Sequence, residues 1–390
     1  MRNILLKKGG SALNFVRMLR QDAGLTQENL AEKAGISRKY LALVEAEQAN
    51  PSIDVAMNIA TGLGTCMDKV FVNNTLPKES FTEPLKFIDL FCGIGGFRYA
   101  SAQAFDKLGI KSECVFSSDI DKFAQESYKA NFGEMPAGDI TKIDAKDIPD
   151  FDVLFGGFPC QAFSICGLMR GFNDSTRGTL FFDIARIIKE KSPKAFVLEN
   201  VKNLAGHDNG RTLRTILNVL RNELGYFVDY HLLNALDFGL PQKRERVIII
   251  GAKVPFKMDW EFKINDSEKK SLSDILETNV DPKHFASPEI VAKRKAMHTA
   301  TVTPSIWHEN KSGNISSYPY SCALRAGASY NYLLVNGERR LTPREMLRLQ
   351  GFPDSFKIAV SDAQTRKQAG NAIPVDMVAH VMERFFSIIF

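Results

Sequence analysis

Apolar positions along the chain fall into blocks with different rhythms. KFIDLF (86–91), ECVFSSD (113–119), FDVLFGG (151–157), KAFVLEN (194–200) and RVIIIGA (246–252) are short apolar runs that read as buried strands. Between them, segments such as FDIARIIKE (182–190) space apolar residues at helical intervals. This alternation predicts an α/β fold with a doubly wound, mostly parallel sheet. Residues 256–336 lose the rhythm and are rich in Ser, Asn, Lys and Tyr. Order returns in LTPREMLRLQGF (341–352), with Thr342 as N-cap and Pro343 at the first helical position. The apolar helix VDMVAHVMERFFSIIF (375–390) is expected to dock back on the sheet. Ahead of the alternation, residues 1–72 are helix-rich, and residues 73–85 are polar with two prolines and read as a linker. The expected divisions are 1–72, a linker 73–85, an alternating domain 86–255, an added domain 256–336 and a return to the alternating domain at 337–390.

Composition narrows the classes. The 390 residues are 44% hydrophobic and 24% charged, as in soluble globular proteins, and the net charge of +5 is compatible with a polyanionic partner. Six scattered cysteines without a CxxC pair exclude a disulfide scaffold, and the histidines lack zinc-ligand spacing, so no metal is expected. No apolar run approaches the ~18 residues of a membrane span. These features lead to an expectation of a cytoplasmic protein with reduced thiols.

The chemistry gathers at strand ends, where open α/β sheets bind ligands. In FGGFPCQAFS (155–164), Cys160 follows a glycine-bounded strand end and Pro159, a position suited to a nucleophile. FIDLFCGIGGF (87–97) places Gly93, Gly95 and Gly96 between strand and helix, where a ligand can approach the backbone. Asp119 ends the second strand, and Asp139 in GDIT (138–141) is expected to follow a third. Glycines and two acids in register point to a bound nucleoside. Glu199 ends the strand KAFVLEN. Ionised, it would raise the pKa of a neighbouring thiol; protonated, it can donate a hydrogen bond to a substrate. In QKRERVIII (242–250), Arg244 and Arg246 are expected to share a face at a similar edge. Taken singly, each feature also reads as a tight turn, a cap or a solvated loop.

Together, FIDLFCGIGGF, GDIT, GFPCQAFS, LENV, QKRERV, RLTPREMLRLQGFPD and QAGNAIP occur in an order that resembles the DNA (cytosine-5)-methyltransferase family, over roughly 86–255 and 338–390. The resemblance implies an S-adenosylmethionine-dependent methyltransferase fold, with S-adenosylhomocysteine as product and no metal. It implies that Phe91, Ile94, Gly95 and Gly96 line the cofactor, with Gly157, Pro159 and Leu180 as further contacts. Asp119, where many relatives carry Glu, would hold the ribose hydroxyls. Ile120 replaces an aromatic residue common in relatives, and Asp139 and Ile140 would meet the adenine. Asn371 would sit near the methionine end.

Cys160 would be the nucleophile. Glu199 would address the base and Arg246 its carbonyl oxygen, with Arg244 in the same catalytic group. Such chemistry requires a flipped-out base. Gln161 and Ser164 would then contact DNA, and Gly156, Gly157 and Gly167 would let their loop close. Residues 256–336 correspond to the family's target-recognition region, with Arg325 and the residues around Gly327 as DNA contacts.

GLTQENLAEKAGISRKYLALVEAEQANPSIDVAMNIATGLG (24–64) resembles the phage-repressor type helix-turn-helix family. Thr26 would cap a first helix through Ala34, Gly35 would form the turn, and Ser37 would cap the second helix. Ser37, Arg38, Lys39 and Tyr40 would face DNA, while Leu30, Ala34, Ile36, Leu41 and Val44 would be core. This resemblance implies repression of the protein's own promoter, by a dimer on an operator, with catalysis by a monomer. A domain lending general DNA affinity or dimerisation is the alternative. For the whole chain, a transcription regulator with a vestigial methylase half and an RNA cytosine methyltransferase are the competing readings. The expected location is at the bacterial nucleoid.

Overall fold

The computed structural model describes residues 13–72, 83–159 and 180–390. Cys160, Gln161, Ser164, Gly167 and most of the expected linker lie outside the described residues. The chain divides into two compact units, an N-terminal one and a second comprising Phe81–Lys253 and Met258–Ile388.

In the first unit, β1 (Leu13–Asn14) is followed by α1 (Val16–Asp22), α2 (Gln27–Ala34), α3 (Arg38–Glu45), α4 (Ile53–Gly62), α5 (Met67–Val70) and β2 (Phe71–Val72), which pairs antiparallel with β1. The helix starts follow from local chemistry. Thr26, Ser37 and Ser52 each accept a backbone N–H of the first turn. Gly35 ends α2 in the left-handed conformation that a glycine adopts without strain. Leu30, Leu41, Val44, Ala56 and Ile59 are fully buried at the centre of this unit, and Ile36 packs against them.

The second unit begins with β3 (Leu85–Leu90), α6 (Gly96–Leu108), β4 (Ser112–Ser118), α7 (Lys122–Phe132), β5 (Val153–Gly157), α8 (Leu180–Lys191) and β6 (Ala195–Val201). Next come α9 (Asn203–Gly206), α10 (Arg211–Asn218), β7 (Phe227–Asn234), β8 (Gln242–Lys243) and β9 (Glu245–Ala252). The sheet order is β4-β3-β5-β6-β9-β7. The first four strands are parallel, and β9 runs antiparallel to both β6 and β7.

Two differences from the sequence reading have physical causes. RVIIIGA is antiparallel because β7 intervenes and the chain turns straight back from it. FVDYHLLN (227–234) carries no continuous apolar run, as expected of an edge strand that is half exposed. The strand expected before Asp139 does not form. Ala137 makes only a single parallel bridge to Ser118, next to Pro136, which has no N–H to donate.

The polar block holds α11 (Leu272–Ile275), α12 (Pro288–Met297), β10 (Ile306–Glu309), β11 (Ile315–Tyr318), β12 (Ser321–Cys322) and β13 (Leu333–Val335). Three of these strands form an antiparallel sheet in the order β11-β10-β13, while β12 pairs with β8. The chain ends in α13 (Pro343–Leu349), α14 (Asp362–Asn371) and α15 (Val375–Ile389). Ile306, Leu324, Leu333 and Val335 share one core with Leu341, Leu349 and Ala369, so the packing of this block runs past residue 336. Thr342 and Glu345 form a reciprocal capping box at the start of α13. Helix α15 docks on the sheet through Phe386, whose ring centroid lies 5.1 Å from Phe105 and 6.3 Å from Phe155. Burying one such ring contributes roughly 1.5–3 kcal/mol.

Candidate active site

The first strand end is a strained glycine turn. Phe91 has φ 55°, Gly93 54° and Gly95 83°. A non-glycine residue in this region costs on the order of 1–3 kcal/mol and persists only where packing dictates it. Gly95 is required twice over, because a Cβ there would also lie 2.1 Å from the Phe132 ring of α7. A Cβ on Gly96 would lie 2.6 Å from Ile373. These two glycines let Phe132 and Ile373 pack against the backbone where α6 begins, and in this turn the Cβ direction is open only at Gly93.

Asp119 fastens this turn to the next one. Its Oδ2 accepts the Gly93 N–H and its Oδ1 the Asp121 N–H, both at 2.8 Å. Burial raises the Asp119 pKa above its ordinary value, while the two amides pull it back. Each carboxylate oxygen keeps a free lone pair, which suits a vicinal diol. Beside it, Ile120 is 72% exposed, an apolar side chain able to cover a ring. Asp121 caps α7 and pairs with Lys367 of α14 at 2.6 Å. Asp139 caps a short turn and bonds Thr141, its pKa lowered by that hydroxyl. Ile94 and Ile140 are only 2% and 3% exposed, so their side chains serve mainly as floor. Leu180 opens α8 half-buried, Pro159 is exposed, and Asn371 is exposed at the end of α14.

The second group lies where β5, β6 and β9 meet. Glu199 and Gly157 are cross-strand partners, and a Cβ on Gly157 would sit 3.6 Å from Glu199 Oε2. Because β9 is antiparallel, its first residues meet the last residues of β6, with Arg246 opposite Val201. Arg246 Nε donates to Glu199 Oε1 at 2.6 Å, and both side chains are close to nine-tenths buried. Asn200, which the sequence reading gave no role, donates to the Phe158 carbonyl at 2.8 Å and holds the segment leading into Pro159 and Cys160. A buried amide directly after the strand-end glutamate was the available signal.

Arg244 does not share a face with Arg246. The strand is interrupted between Lys243 and Glu245, so the two-residue alternation does not run through it. Arg244 is 1% exposed. Its Nη1 donates to the Leu324 carbonyl at 2.9 Å, and its Nη2 donates to Gly370 at 2.9 Å and Ala372 at 2.6 Å. These bonds occupy the terminal nitrogens and make Arg244 a brace between three segments. Gln242, wholly buried, adds a bond to the Leu349 carbonyl and accepts the Leu324 N–H.

Arg325 is exposed and stacks on Tyr332. In the first unit, Ser37, Arg38 and Lys39 are exposed at the start of α3. Tyr40 is half-buried against the core, so only part of its ring is open to a partner. Among the described residues no cluster of three His, Cys, Asp or Glu is placed to hold a metal.

Comparison with known proteins bears on this arrangement. Residues 85–387 match the family described as C-5 cytosine-specific DNA methylase, and residues 16–68 match a helix-turn-helix family. The chain is 55% identical over 296 residues to the Type II methyltransferase M.NgoBI of Neisseria gonorrhoeae, covering 75% of this chain and 90% of that protein. It is 41% identical over 392 residues to the Type II methyltransferase M1.ScrFI of Lactococcus lactis subsp. cremoris, covering 96% and 95%. Among solved structures, the S. pombe Dnmt2 methyltransferase superposes with TM-score 0.58 at 22% identity, covering 77% of this chain and 98% of that one, a likeness of fold.

Proposed function

The chain belongs to the C-5 cytosine-specific DNA methylases, and from that premise we propose that it is the modification enzyme of a Type II restriction-modification system. In this reading it methylates carbon 5 of one cytosine in a short duplex sequence, drawing the methyl group from S-adenosylmethionine. The buried Glu199–Arg246 pair, beside the strand end that leads into Cys160, is the observation that carries the proposal.

The residues present fit the cofactor. The glycine turn is open at Gly93, Asp119 has lone pairs free for the ribose hydroxyls, and Ile120 can cover the adenine. S-adenosylmethionine supplies an electrophilic methyl group and leaves as S-adenosylhomocysteine. The chain's residues make carbon 5 able to take it. The Cys160 thiolate adds to carbon 6 of the flipped-out base, and the ring becomes an enamine. Glu199 donates a hydrogen bond to ring nitrogen 3, where negative charge develops. Arg246 orients Glu199 and lies close enough to address the base carbonyl. Carbon 5 of the enamine takes the methyl group, water accepts the carbon-5 proton, and the C–H electrons re-form the 5,6 double bond as Cys160 leaves as thiolate. Gln161 and Ser164 contact the DNA, and Arg244 positions the surrounding segments.

The test is expression in a bacterial host lacking cytosine methylation, followed by bisulfite sequencing of its DNA. Short, fully protected sites are expected, and none with Cys160→Ala. Soluble protein that binds S-adenosylmethionine yet protects no cytosine would overturn the assignment.

The first unit also represses the protein's own promoter in this reading, with Arg38 and Lys39 at the start of α3 entering the major groove. A reporter driven by that promoter should be repressed by the full chain and released by Arg38→Ala with Lys39→Ala. Equal repression by both would leave the unit a general DNA-affinity module.

A further inference from the structure

Three arginines from separate segments converge on two tyrosines beside the catalytic edge. Arg325 lies in the loop after β12, Arg340 follows β13, and Arg366 is on α14. The Arg325 guanidinium sits 4.9 Å from the Tyr332 ring centroid, and Arg340 sits 4.6 Å from that of Tyr330. Arg366 lies between them, 5.0 Å from Tyr330 and 6.0 Å from Tyr332. Among the described residues, none of the three forms an ion pair with a carboxylate, whereas nearby Arg339 and Arg348 pair with Glu345 and Asp354. Arg340 donates through Nη2 to the Lys283 carbonyl, and its Nη1 lies 3.5 Å from Asn331 Oδ1, so its outward donors are fewer than those of Arg325.

We propose that Arg325, Arg340 and Arg366 form a binding site for the phosphodiester backbone of the target duplex, held open by Tyr330 and Tyr332. Three like charges gathered without a counter-charge repel one another. The negative faces of the two rings offset part of that repulsion. A phosphate removes the rest. Arginine suits this role because it is weakly hydrated and presents a planar fork of donors that matches phosphate oxygens.

Donors remain available. Among the described residues the Arg325 guanidinium makes no hydrogen bond. Arg366 uses only Nη2, on the Ala328 and Ser329 carbonyls, which also holds the loop in place. The loop is tied to the catalytic edge as well, because Leu324 is bonded by both Arg244 and Gln242. A polymer that brings a base to Glu199 therefore passes a cationic cleft anchored to the same framework. That placement favours the DNA backbone over a free phosphate.

This inference rests on the methyltransferase reading, and its test separates the two. The full chain is titrated with a duplex carrying the methylated site, and with one lacking it, over a series of salt concentrations. Each arginine that neutralises a phosphate should contribute about 0.9 to the slope of log affinity against log salt. R325Q, R340Q and R366Q are each expected to lower the slope by about that amount and to weaken both duplexes by the same factor, with R325K restoring the slope. Because the Arg325 side chain makes no hydrogen bond among the described residues and rests only on the Tyr332 ring, R325Q decides the matter if either other variant fails to fold. An unchanged slope, or a loss confined to the specific duplex, overturns the proposal. If the wild-type chain methylates DNA while R325Q keeps its slope, only this inference fails. If the wild-type chain methylates nothing, the reading beneath it fails.

Discussion

Glu199→Gln is expected to lower kcat for methyl transfer by about 10²–10⁴-fold, the range for removing a positioned proton donor. The substitution nearly preserves shape, and Glu199 is 8% exposed with Oε1 2.6 Å from Arg246 Nε. What changes is chemistry. An amide cannot pass a proton to the ring nitrogen when the base is bound, and in the DNA-free protein it leaves the buried Arg246 without the carboxylate that pairs with it at 2.6 Å. Single-turnover methylation with labelled S-adenosylmethionine separates these two effects from binding. S-adenosylmethionine affinity should stay near wild type, because Asp119 and the glycine turn lie on other strands. Combining Glu199→Gln with Arg246→Ala completes a cycle, and the pair should lose much less than the sum of the singles, since both act on one base. A kcat within threefold of wild type for Glu199→Gln would remove the residue from the mechanism and leave it a partner of Arg246 only.

Arg244→Met is expected to cost about 3–5 kcal/mol of stability in the second unit, a large single-site effect. Methionine fills much of the volume but donates nothing. The carbonyls of Leu324, Gly370 and Ala372 lose their shared donor inside a site that is 1% exposed. Each buried carbonyl left without a partner costs on the order of 1–3 kcal/mol, and the three losses overlap because the segments can relax together. Urea unfolding followed by circular dichroism measures the difference. KM for DNA should rise as well, because Leu324 introduces the loop that carries Arg325. A loss below about 1 kcal/mol would show that the carbonyls find other donors and that Arg244 is no brace.

The contrast between Arg244 and Arg246 shows where sequence reading stopped. The two residues are separated by one position and look equivalent in QKRERV. Arg246 is already in a strand, opposite the end of β6, and so meets Glu199. Arg244 lies in the break before that strand and turns into the body of the protein. A break of one residue leaves no mark in the apolar pattern. Asp139 illustrates the same limit. Its capping role is local and readable, whereas the strand expected ahead of it depended on pairing that a proline prevents.

Features set by neighbours along the chain were legible before any fold was known. The caps at Thr26, Ser37 and Thr342 and the left-handed Gly35 arise from interactions within a few residues, and the apolar runs of β5 and β6 marked them as buried strands. The order of motifs likewise marked the family. The direction of β9, the edge strand β7, the brace at Arg244 and the convergence of Arg325, Arg340 and Arg366 appear only in the folded chain. They join residues separated by tens of positions. Which of them meet is settled by the sheet edge left open and the backbone groups left unpaired, and neither quantity exists until the rest of the molecule has packed.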